Sequence, residues 1–148
     1  MPNLPKLNLP PIHLRGKREG DRTYIWDSVR RMFLVLTPEE WVRQHILGYL
    51  IDHLHYLPQQ ISLEHPVNLN GMAQRADIVV FGNDAKAEIL VECKAPDVKI
   101  DGSVFEQATR YNAVVQARYV ILTNGMEHYC YEFADSAYRP LSAFPKLG

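Results

Sequence analysis

The sequence has few cysteines and no long apolar run. Its two cysteines, Cys93 and Cys130, form neither a CxxC pair nor a disulfide-rich framework, so we expect both thiols to be reduced. No apolar run approaches the roughly 18 residues that suggest a membrane span. Prolines interrupt the leucines near the N-terminus, unlike the apolar core of a signal peptide. These absences predict a cytoplasmic protein with no membrane partner.

The chain also lacks a strong net charge. The formal charge is −1 at pH 7, which gives no overall attraction to a polyanion. Residues 1–31 nevertheless contain seven Lys or Arg against three acidic residues, a local balance of +4. This stretch could contact phosphates, but its prolines favour a solvated tail. Its alternating apolar residues could instead lie on a protein surface and bring two copies together as a homodimer.

A third absence is the P-loop motif G-x-x-x-x-G-K-[ST]. Gly16-Lys17 is followed by Arg18 and has no matching glycine before it. We therefore expect no nucleotide-driven motor in this chain. A length of 148 residues with 47% hydrophobic residues suits a globular protein with one core. We divide it into an extended arm over residues 1–20 and one domain over residues 21–148.

Helix-start patterns and apolar periodicity predict the elements of this domain. Thr37-Pro38-Glu39-Glu40 predicts a helix that runs to about Leu54, and Ser103 with Glu106 predicts the capping box of a second helix. Asn124-Gly125 predicts a hairpin. The predicted strands and extended segments are Thr23–Trp26, Arg31–Leu36, Ile61–Val67, Ala76–Phe81, Glu88–Lys94, Tyr119–Thr123 and Glu127–Phe133.

Two of these strands form a hairpin of particular interest. The apolar runs Ile78–Phe81 and Ile89–Val91 flank Gly82-Asn83-Asp84, a cluster that favours a turn. Pairing of Phe81 with Glu88 across this turn would fix the antiparallel register of the whole hairpin.

In that register two carboxylates lie opposite each other. Asp77 faces Glu92, with Cβ atoms about 4.5–5.5 Å apart on the same face of the sheet. Lys94 lies two residues after Glu92 and therefore shares this face. Two carboxylates this close repel each other unless a cation lies between them, and a hard divalent cation such as Mg²⁺ suits oxygen ligands. The spacing predicts a metal site with a lysine beside it.

Three segments resemble a known group of enzymes. Asp77 followed by Glu92-Cys93-Lys94 resembles the motif of the PD-(D/E)xK nuclease superfamily. The segment 25–44 resembles the opening of the N-terminal nuclease domain of type I restriction enzyme R subunits. Gln107-Ala-Thr-Arg-Tyr111 resembles the Gln-x-x-x-Tyr element of one branch of these nucleases. The resemblance implies an α/β fold with a restriction-endonuclease-like mixed β-sheet flanked by helices.

The resemblance also implies a chemistry, the hydrolysis of DNA with Mg²⁺ or Mn²⁺. Asp77 and Glu92 would hold the metal, with the backbone carbonyl of Cys93 as a further ligand. Lys94 would contact the attacking water or a phosphoryl oxygen, as a base or as a fixed charge. We therefore expect a Mg²⁺-dependent deoxyribonuclease that acts as an endonuclease.

Four further residues have two interpretations each. Glu40 matches an acidic position that often completes the metal site, or it only closes the capping box of the first helix. Gln107 and Tyr111 share a helix face and would position DNA or the lysine, or they are a polar residue beside a core tyrosine. Arg75 would hold a phosphate or pair with a nearby carboxylate. Glu64 is not assigned to the site.

Two other hypotheses compete with a nuclease. The same fold could serve as a non-catalytic nucleic-acid-binding or scaffolding module, because no large basic groove is evident in the sequence. The acidic pair could also be a solvated strand face with the lysine as its counter-ion. Without a motor, the chain must find DNA itself or rely on a partner protein that supplies DNA targeting.

Overall fold

The computed structural model describes residues 4–145, which form a small sheet, a large sheet and two α-helices. The small sheet contains β1 (Gly16–Glu19), β2 (Arg22–Asp27) and β3 (Met32–Val35). The large sheet contains β4 (Ile61–Leu69), β5 (Met72–Phe81), β6 (Ala87–Cys93), β7 (Tyr119–Thr123), β8 (His128–Ala134) and β9 (Ala137–Leu141). The helices are α1 (Pro38–Asp52) and α2 (Gly102–Val115), and a 3-10 turn covers Pro58–Gln60.

The large sheet is mixed. Its strands follow the order β4-β5-β6-β7-β8-β9, and all neighbours are antiparallel except β6 and β7, which are parallel. A parallel pair needs a crossover connection, and α2 lies in that connection between β6 and β7. The predicted α/β fold, a mixed sheet flanked by helices, is confirmed.

The two helices cover opposite faces of the large sheet. Residues of α1 at helical spacing, such as Val42, Ile46 and Leu50, pack with one set of strand residues. Residues of α2 pack with a second set from the other face. The alternation is visible in β6, where Ile89 and Val91 belong to the α1 side and Leu90 to the α2 side. Glu92 therefore lies on the same face as α2.

Helix α1 begins as the sequence predicts, but without a complete capping box. The Oγ1 atom of Thr37 accepts a hydrogen bond from the N–H of Glu40 at 3.0 Å, and Pro38 is the first helical residue. The carboxylate of Glu40 does not return to Thr37, because it accepts hydrogen bonds from Arg43 and Gln44 instead. The capping-box role predicted for Glu40 is therefore wrong.

The predicted start of α2 is also wrong by two residues. Asp101 is the N-cap, and its Oδ1 atom accepts hydrogen bonds from the N–H groups of Ser103 at 3.0 Å and Val104 at 3.4 Å. Ser103 lies inside the first turn, where its hydroxyl donates to Asp101 at 2.6 Å. Aspartate and serine are equally good caps, and here the earlier residue takes the free N–H groups.

Strands β4 and β5 are longer than the sequence predicts, whereas β6 keeps its predicted length and lies one residue earlier. The turn Asn70-Gly71, with φ of 51° and 81°, joins β4 to β5, as expected for a two-residue hairpin loop with positive φ. The pairs Ile78–Val91 and Val80–Ile89 have the predicted register between β5 and β6. Phe81, however, pairs with Ala87 rather than Glu88, because a bulge follows Val80. The bulge leaves the register near Asp77 unchanged.

The N-terminal segment packs on the domain. Leu7 is 5% exposed and belongs to the core on the α1 side, so the interpretation as a solvated tail is wrong there. The N–H of Asn8 donates to the carbonyl of Gly125 at 2.8 Å. Residues 16–19, predicted to belong to the extended arm, form β1. Residues 1–3 of the predicted arm and residues 146–148 of the predicted domain lie outside the described residues.

Neither helix found within residues 4–145 has the length and apolar character of a membrane span.

Candidate functional site

Asp77 and Glu92 lie side by side on neighbouring strands. The N–H of Asp77 donates to Oε1 of Glu92 at 3.2 Å. The N–H of Cys93 donates to Oδ2 of Asp77 at 2.7 Å. Each carboxylate is therefore held against the backbone of the other strand, which fixes the distance between them.

Burial raises the pKa of both carboxyl groups. Glu92 is only 4% exposed, and its pKa is raised first by burial and then by the charge of Asp77. Burial also raises the pKa of Asp77, while the N–H of Cys93 and the charge of Arg43 oppose the rise. A nearby cation would favour the ionised form of both groups, because it offsets both causes.

Lys94 follows directly after β6 and is half-buried. Its N–H donates to the carbonyl of Thr123 at 2.8 Å, which continues the pairing of β6 with β7. Its charge opposes the rise in the pKa of both Glu92 and Glu39. Among residues 4–145, Lys94 takes part in no ion pair shorter than 4.0 Å. Its ammonium group is thus available to a ligand beside the acidic pair.

Arg43 of α1 is the main cation of the site, a role that its sequence context does not indicate. Its guanidinium forms ion pairs with Glu40 and Glu64, and Nη1 lies 3.8 Å from Oδ1 of Asp77. Burial lowers the pKa of Arg43, but the hydrogen bonds that it donates to Glu40 and Glu64, and the charges of these carboxylates, raise the pKa above its ordinary value. Arg43 therefore remains charged and compensates three carboxylates at once.

Two further acidic residues, Glu64 and Glu39, lie near the pair. Glu64 has a φ of 53° in β4, between the pairs Leu63–Ile78 and His65–Ala76, and this register places it opposite Asp77. The pKa of Glu39, in the first turn of α1, is raised by partial burial and by the charge of Asp77. A positive φ at a non-glycine residue is uncommon and cannot be read from the local sequence.

Glu40 is engaged within the protein. Its Oε2 atom accepts hydrogen bonds from Nε of Arg43 and Nε2 of Gln44, both at 3.0 Å. Gln44 also donates to Oδ2 of the fully buried Asp27 at 3.0 Å. In this arrangement Glu40 orients Arg43, and its predicted role as a metal ligand stays a prediction.

Gln107 and Tyr111 lie together on the inner side of α2. Nε2 of Gln107 donates to the hydroxyl of Tyr111 at 3.1 Å, and this hydroxyl donates to Oε1 of Gln74 at 3.4 Å. Burial and then the charge of Glu92 raise the pKa of Tyr111. Gln74 was missed because the strand that carries it was predicted to begin later.

Arg75 and Cys93 differ in their access to solvent. Arg75 is exposed in β5, two residues before Asp77. It forms no ion pair shorter than 4.0 Å within the described part of the chain, so its alternative role as a carboxylate partner is not seen. The thiol of Cys93 is fully buried, and burial raises its pKa. A nucleophilic role is therefore excluded for this thiol.

The carboxylate donors of the site suit hard cations such as Mg²⁺ and Mn²⁺ better than softer metals that prefer sulfur or nitrogen ligands. Residues 4–145 contain no group of three or more His, Cys, Asp or Glu side chains arranged to hold a metal ion. Mg²⁺ often takes only one or two carboxylates and completes its shell with waters and substrate phosphates. Asp77 and Glu92 provide two such ligands and have the raised pKa values that a cation would lower. The residues present therefore fit Mg²⁺ or Mn²⁺.

Fold and site together define an α/β domain with an acidic site on two neighbouring strands of a mixed sheet. A family model described as the N terminus of the type I restriction enzyme R protein matches residues 38–145. The chain belongs to this family, which confirms the resemblance to restriction enzyme R subunits. Membership of the wider PD-(D/E)xK superfamily stays a prediction.

A solved structure shares the fold. It is described as a fragment of an HsdR subunit of a type I restriction enzyme from Vibrio vulnificus YJ016. The TM-score is 0.58 at 20% sequence identity, and the match covers 75% of this chain. The match covers only 24% of that protein. No curated protein matched this chain.

Proposed function

We propose that this chain is a metal-dependent nuclease domain that hydrolyses phosphodiester bonds in DNA. The observation that carries the proposal is the paired arrangement of Asp77 and Glu92. Each accepts a hydrogen bond from the backbone of the other strand, at 2.7 and 3.2 Å, and Lys94 follows on the same face. Membership of a restriction enzyme family supports DNA as the substrate.

One set of residues binds the metal, and another set contacts the substrate. Asp77 and Glu92 hold the metal, together with the backbone carbonyl of Cys93. When bound, Mg²⁺ or Mn²⁺ supplies a Lewis acid for the phosphoryl group and lowers the pKa of a coordinated water. Lys94 places its ammonium group at the attacking water or at a phosphoryl oxygen. Arg75, exposed beside Asp77, contacts a neighbouring phosphate.

The surrounding residues hold this arrangement in place. Arg43 keeps Asp77 oriented from a distance of 3.8 Å and offsets part of the negative charge. Tyr111 and Gln107, which are hydrogen-bonded to each other, line the site from the α2 side and position DNA or Lys94. Glu40 orients Arg43 by accepting its hydrogen bond. We propose that Glu40 also contributes a ligand to the metal.

The proposal extends to partners and location. We infer a cytoplasmic endonuclease whose DNA targeting comes from a partner protein, because the chain belongs to a family of type I restriction enzyme R proteins. A homodimer would offer one site to each strand of a duplex. A partner protein or a homodimer would determine how DNA reaches the site, and the hydrolysis proposed for the site is the same in either case.

Plasmid cleavage tests the proposal directly. Supercoiled DNA incubated with the protein and Mg²⁺ or Mn²⁺ should be nicked or linearised, and excess EDTA should stop the reaction. Glu92→Gln removes a ligand charge and Lys94→Ala removes the ammonium group, so each should slow cleavage by about 100-fold or more. Cleavage of closed circular DNA would establish internal cutting.

The matched control is Arg139→Gln in β9, a residue with a 63% exposed side chain. This variant should cut at the rate of the unmodified protein. Cleavage that persists at full rate in Glu92→Gln or Lys94→Ala would contradict the assignment of the site.

A second candidate is a non-catalytic nucleic-acid-binding or scaffolding module. This function is favoured because the described residues contain no group of three His, Cys, Asp or Glu side chains that could hold a metal ion. Titration calorimetry with Mn²⁺ separates the two functions. A nuclease should bind the metal through the acidic pair and lose that binding in Glu92→Gln, whereas the module should release no heat and leave DNA intact.

A further inference from the structure

We propose that one face of the small sheet binds the phosphodiester backbone of a DNA strand. This inference rests on the proposed function for the identity of its ligand, and it names the surface that holds the substrate. We call this surface the aromatic–basic face. It consists of Arg15, Lys17, Arg22, Tyr24, Trp26 and Phe33.

Strand register places these side chains on a single face. Lys17 pairs with Tyr24, and Trp26 pairs with Phe33, so each pair points to the same side. The N–H of Trp26 donates to the carbonyl of Arg15 at 2.8 Å, which extends the same register by one residue.

The opposite face of β2 is directed inward. Ile25 is 2% exposed and Asp27 is fully buried, and both alternate with the aromatic residues of β2. Tyr24, Trp26 and Phe33 are half-buried, whereas Arg15, Lys17 and Arg22 are exposed. The aromatic–basic face is therefore the solvent side of the small sheet.

The cations of this face are held on the aromatic rings. The guanidinium carbon of Arg15 lies 4.8 Å from the ring centre of Trp26 and 5.4 Å from that of Phe33. Nζ of Lys17 lies 4.5 Å from the ring centre of Phe33 and 5.7 Å from that of Tyr24. Cation–π contacts restrain two long side chains that would otherwise lose entropy on binding a phosphate. A planar guanidinium stacked in this way can also stack on a base.

The charge of this region is opposite to that of the remaining chain. Residues 15–31 contain six Lys or Arg and three acidic residues, a balance of +3, whereas the whole chain has −1. Two of the three acidic residues form ion pairs with cations that this balance already includes. Asp27 is paired with Arg30 at 3.0 Å, and Glu19 is paired with Lys17 at 3.2 Å. A local excess of positive charge beside aromatic rings complements a polyanion with bases, which favours a nucleic acid over an acidic protein.

Hydrogen bonds and an ion pair connect the inward side of β2 to the acidic pair. Asp27, next to Trp26, accepts a hydrogen bond from Gln44 of α1. Gln44 also donates to Glu40, and Glu40 binds Arg43, which reaches Asp77 at 3.8 Å. A strand bound on the small sheet would thus be held at a defined position relative to the site.

The test measures DNA binding without cleavage. Fluorescence anisotropy of labelled 20-nucleotide DNA, in single-stranded and duplex arms, is recorded for Glu92→Gln protein in EDTA over a range of salt. In this background the double variant R15Q/K17Q should raise Kd by about 10-fold or more. It should also reduce the slope of log K against log salt by about 1.8 for duplex or about 1.4 for single strands, because two phosphate contacts are lost.

A matched control removes two exposed charges elsewhere. K86Q/R139Q changes one residue of the β5–β6 turn and one of β9, and should leave Kd and the slope unchanged. The single variant R22Q removes a cation that stacks on no ring and should reduce the duplex slope by about 0.9. It keeps the test valid if R15Q/K17Q fails to fold, as judged by circular dichroism.

The outcomes separate this inference from the proposed function. DNA binding that is lost in R15Q/K17Q supports the inference even if the unmodified protein cuts no plasmid. Cleavage by the unmodified protein, together with equal Kd values for R15Q/K17Q and K86Q/R139Q, overturns it. Loss of binding to poly-glutamate without an effect on DNA also overturns it, and would identify an acidic protein as the partner.

Discussion

At the scale of single residues, Arg43 explains how a cluster of carboxylates is tolerated in the folded chain. Its guanidinium contacts Glu40, Glu64 and Asp77, and only 10% of its side chain is exposed. A buried ion pair contributes little relative to an apolar replacement, but removal of one partner leaves the other charge uncompensated. Arg43 should therefore matter for stability even in the absence of metal and substrate.

The substitution Arg43→Gln tests this role. It leaves three carboxylates without their shared cation, so we expect the free energy of unfolding to fall by about 3 kcal/mol. Urea denaturation at neutral pH in EDTA gives this value. Arg139→Gln, at an exposed site, should change it by less than about 0.5 kcal/mol. A similar small change in both variants would show that Glu40, Glu64 and Asp77 do not depend on Arg43.

Strand alternation predicts part of this site from the sequence, and helix packing supplies the rest. Asp77 and Glu92 could be paired because a hairpin register follows from two apolar runs and a turn. Arg43, Glu39 and Glu64 reach the pair from α1 and from a strand residue with positive φ. Contacts between elements distant in sequence leave no periodic signal in either one.

At the scale of elements, the start of α2 determines how the helix presents Gln107 and Tyr111 to the site. Asp101 and Ser103 are both suitable caps in the sequence, and the structure selects Asp101. The hydrogen bond from Ser103 and those from the backbone lower the pKa of the Asp101 carboxyl group. Its stabilising effect is therefore complete at neutral pH and is lost as the pH falls through the lowered pKa.

The variants Asp101→Ala and Ser103→Ala distinguish the two caps. Asp101→Ala removes the acceptor of the first N–H groups, so the Tm at pH 7 should fall by about 2–4 °C. Ser103→Ala removes only a hydroxyl that donates to Asp101 and should lower Tm by less. Thermal melts followed by circular dichroism provide both values. An equal or larger effect of Ser103→Ala would assign the cap to the serine.

Two strands, β1 and β9, have sequences that argue against a strand. Gly16–Glu19 contains no apolar residue, and Ala137–Leu141 contains Pro140, which cannot donate a ladder hydrogen bond. Both lie at the edge of a sheet, where such residues are tolerated. The central strands could be predicted because burial on both faces demands apolar runs. Edge strands carry no such demand, and the local sequences of β1 and β9 do not reveal them.

At the scale of the whole molecule, the N-terminal segment joins α1 to the end of the β7–β8 hairpin. Nε1 of Trp41 in α1 donates to the carbonyl of Pro5 at 2.9 Å. Asn8 contacts Gly125 in the β7–β8 loop, and the side chain of Leu7 lies between these two anchors in the core. At Gly125, which has a φ of +85°, a Cβ atom would lie 2.8 Å from Cδ2 of Leu7. The segment is therefore fitted closely to the domain.

Truncation of the Leu7 side chain measures how much this segment stabilises the fold. Leu7 is 5% exposed, so Leu7→Ala removes buried methyl groups and leaves a cavity beside Gly125. We expect the free energy of unfolding to fall by about 3 kcal/mol, within the usual range for buried leucine. Lys6→Ala, one residue away and exposed, should change it by less than about 0.5 kcal/mol. Urea denaturation compares the two variants, and a solvated arm would make them indistinguishable. A selective effect of Leu7→Ala would make residues 5–8 part of the folded unit, because a tail that detaches before unfolding contributes nothing to the global free energy.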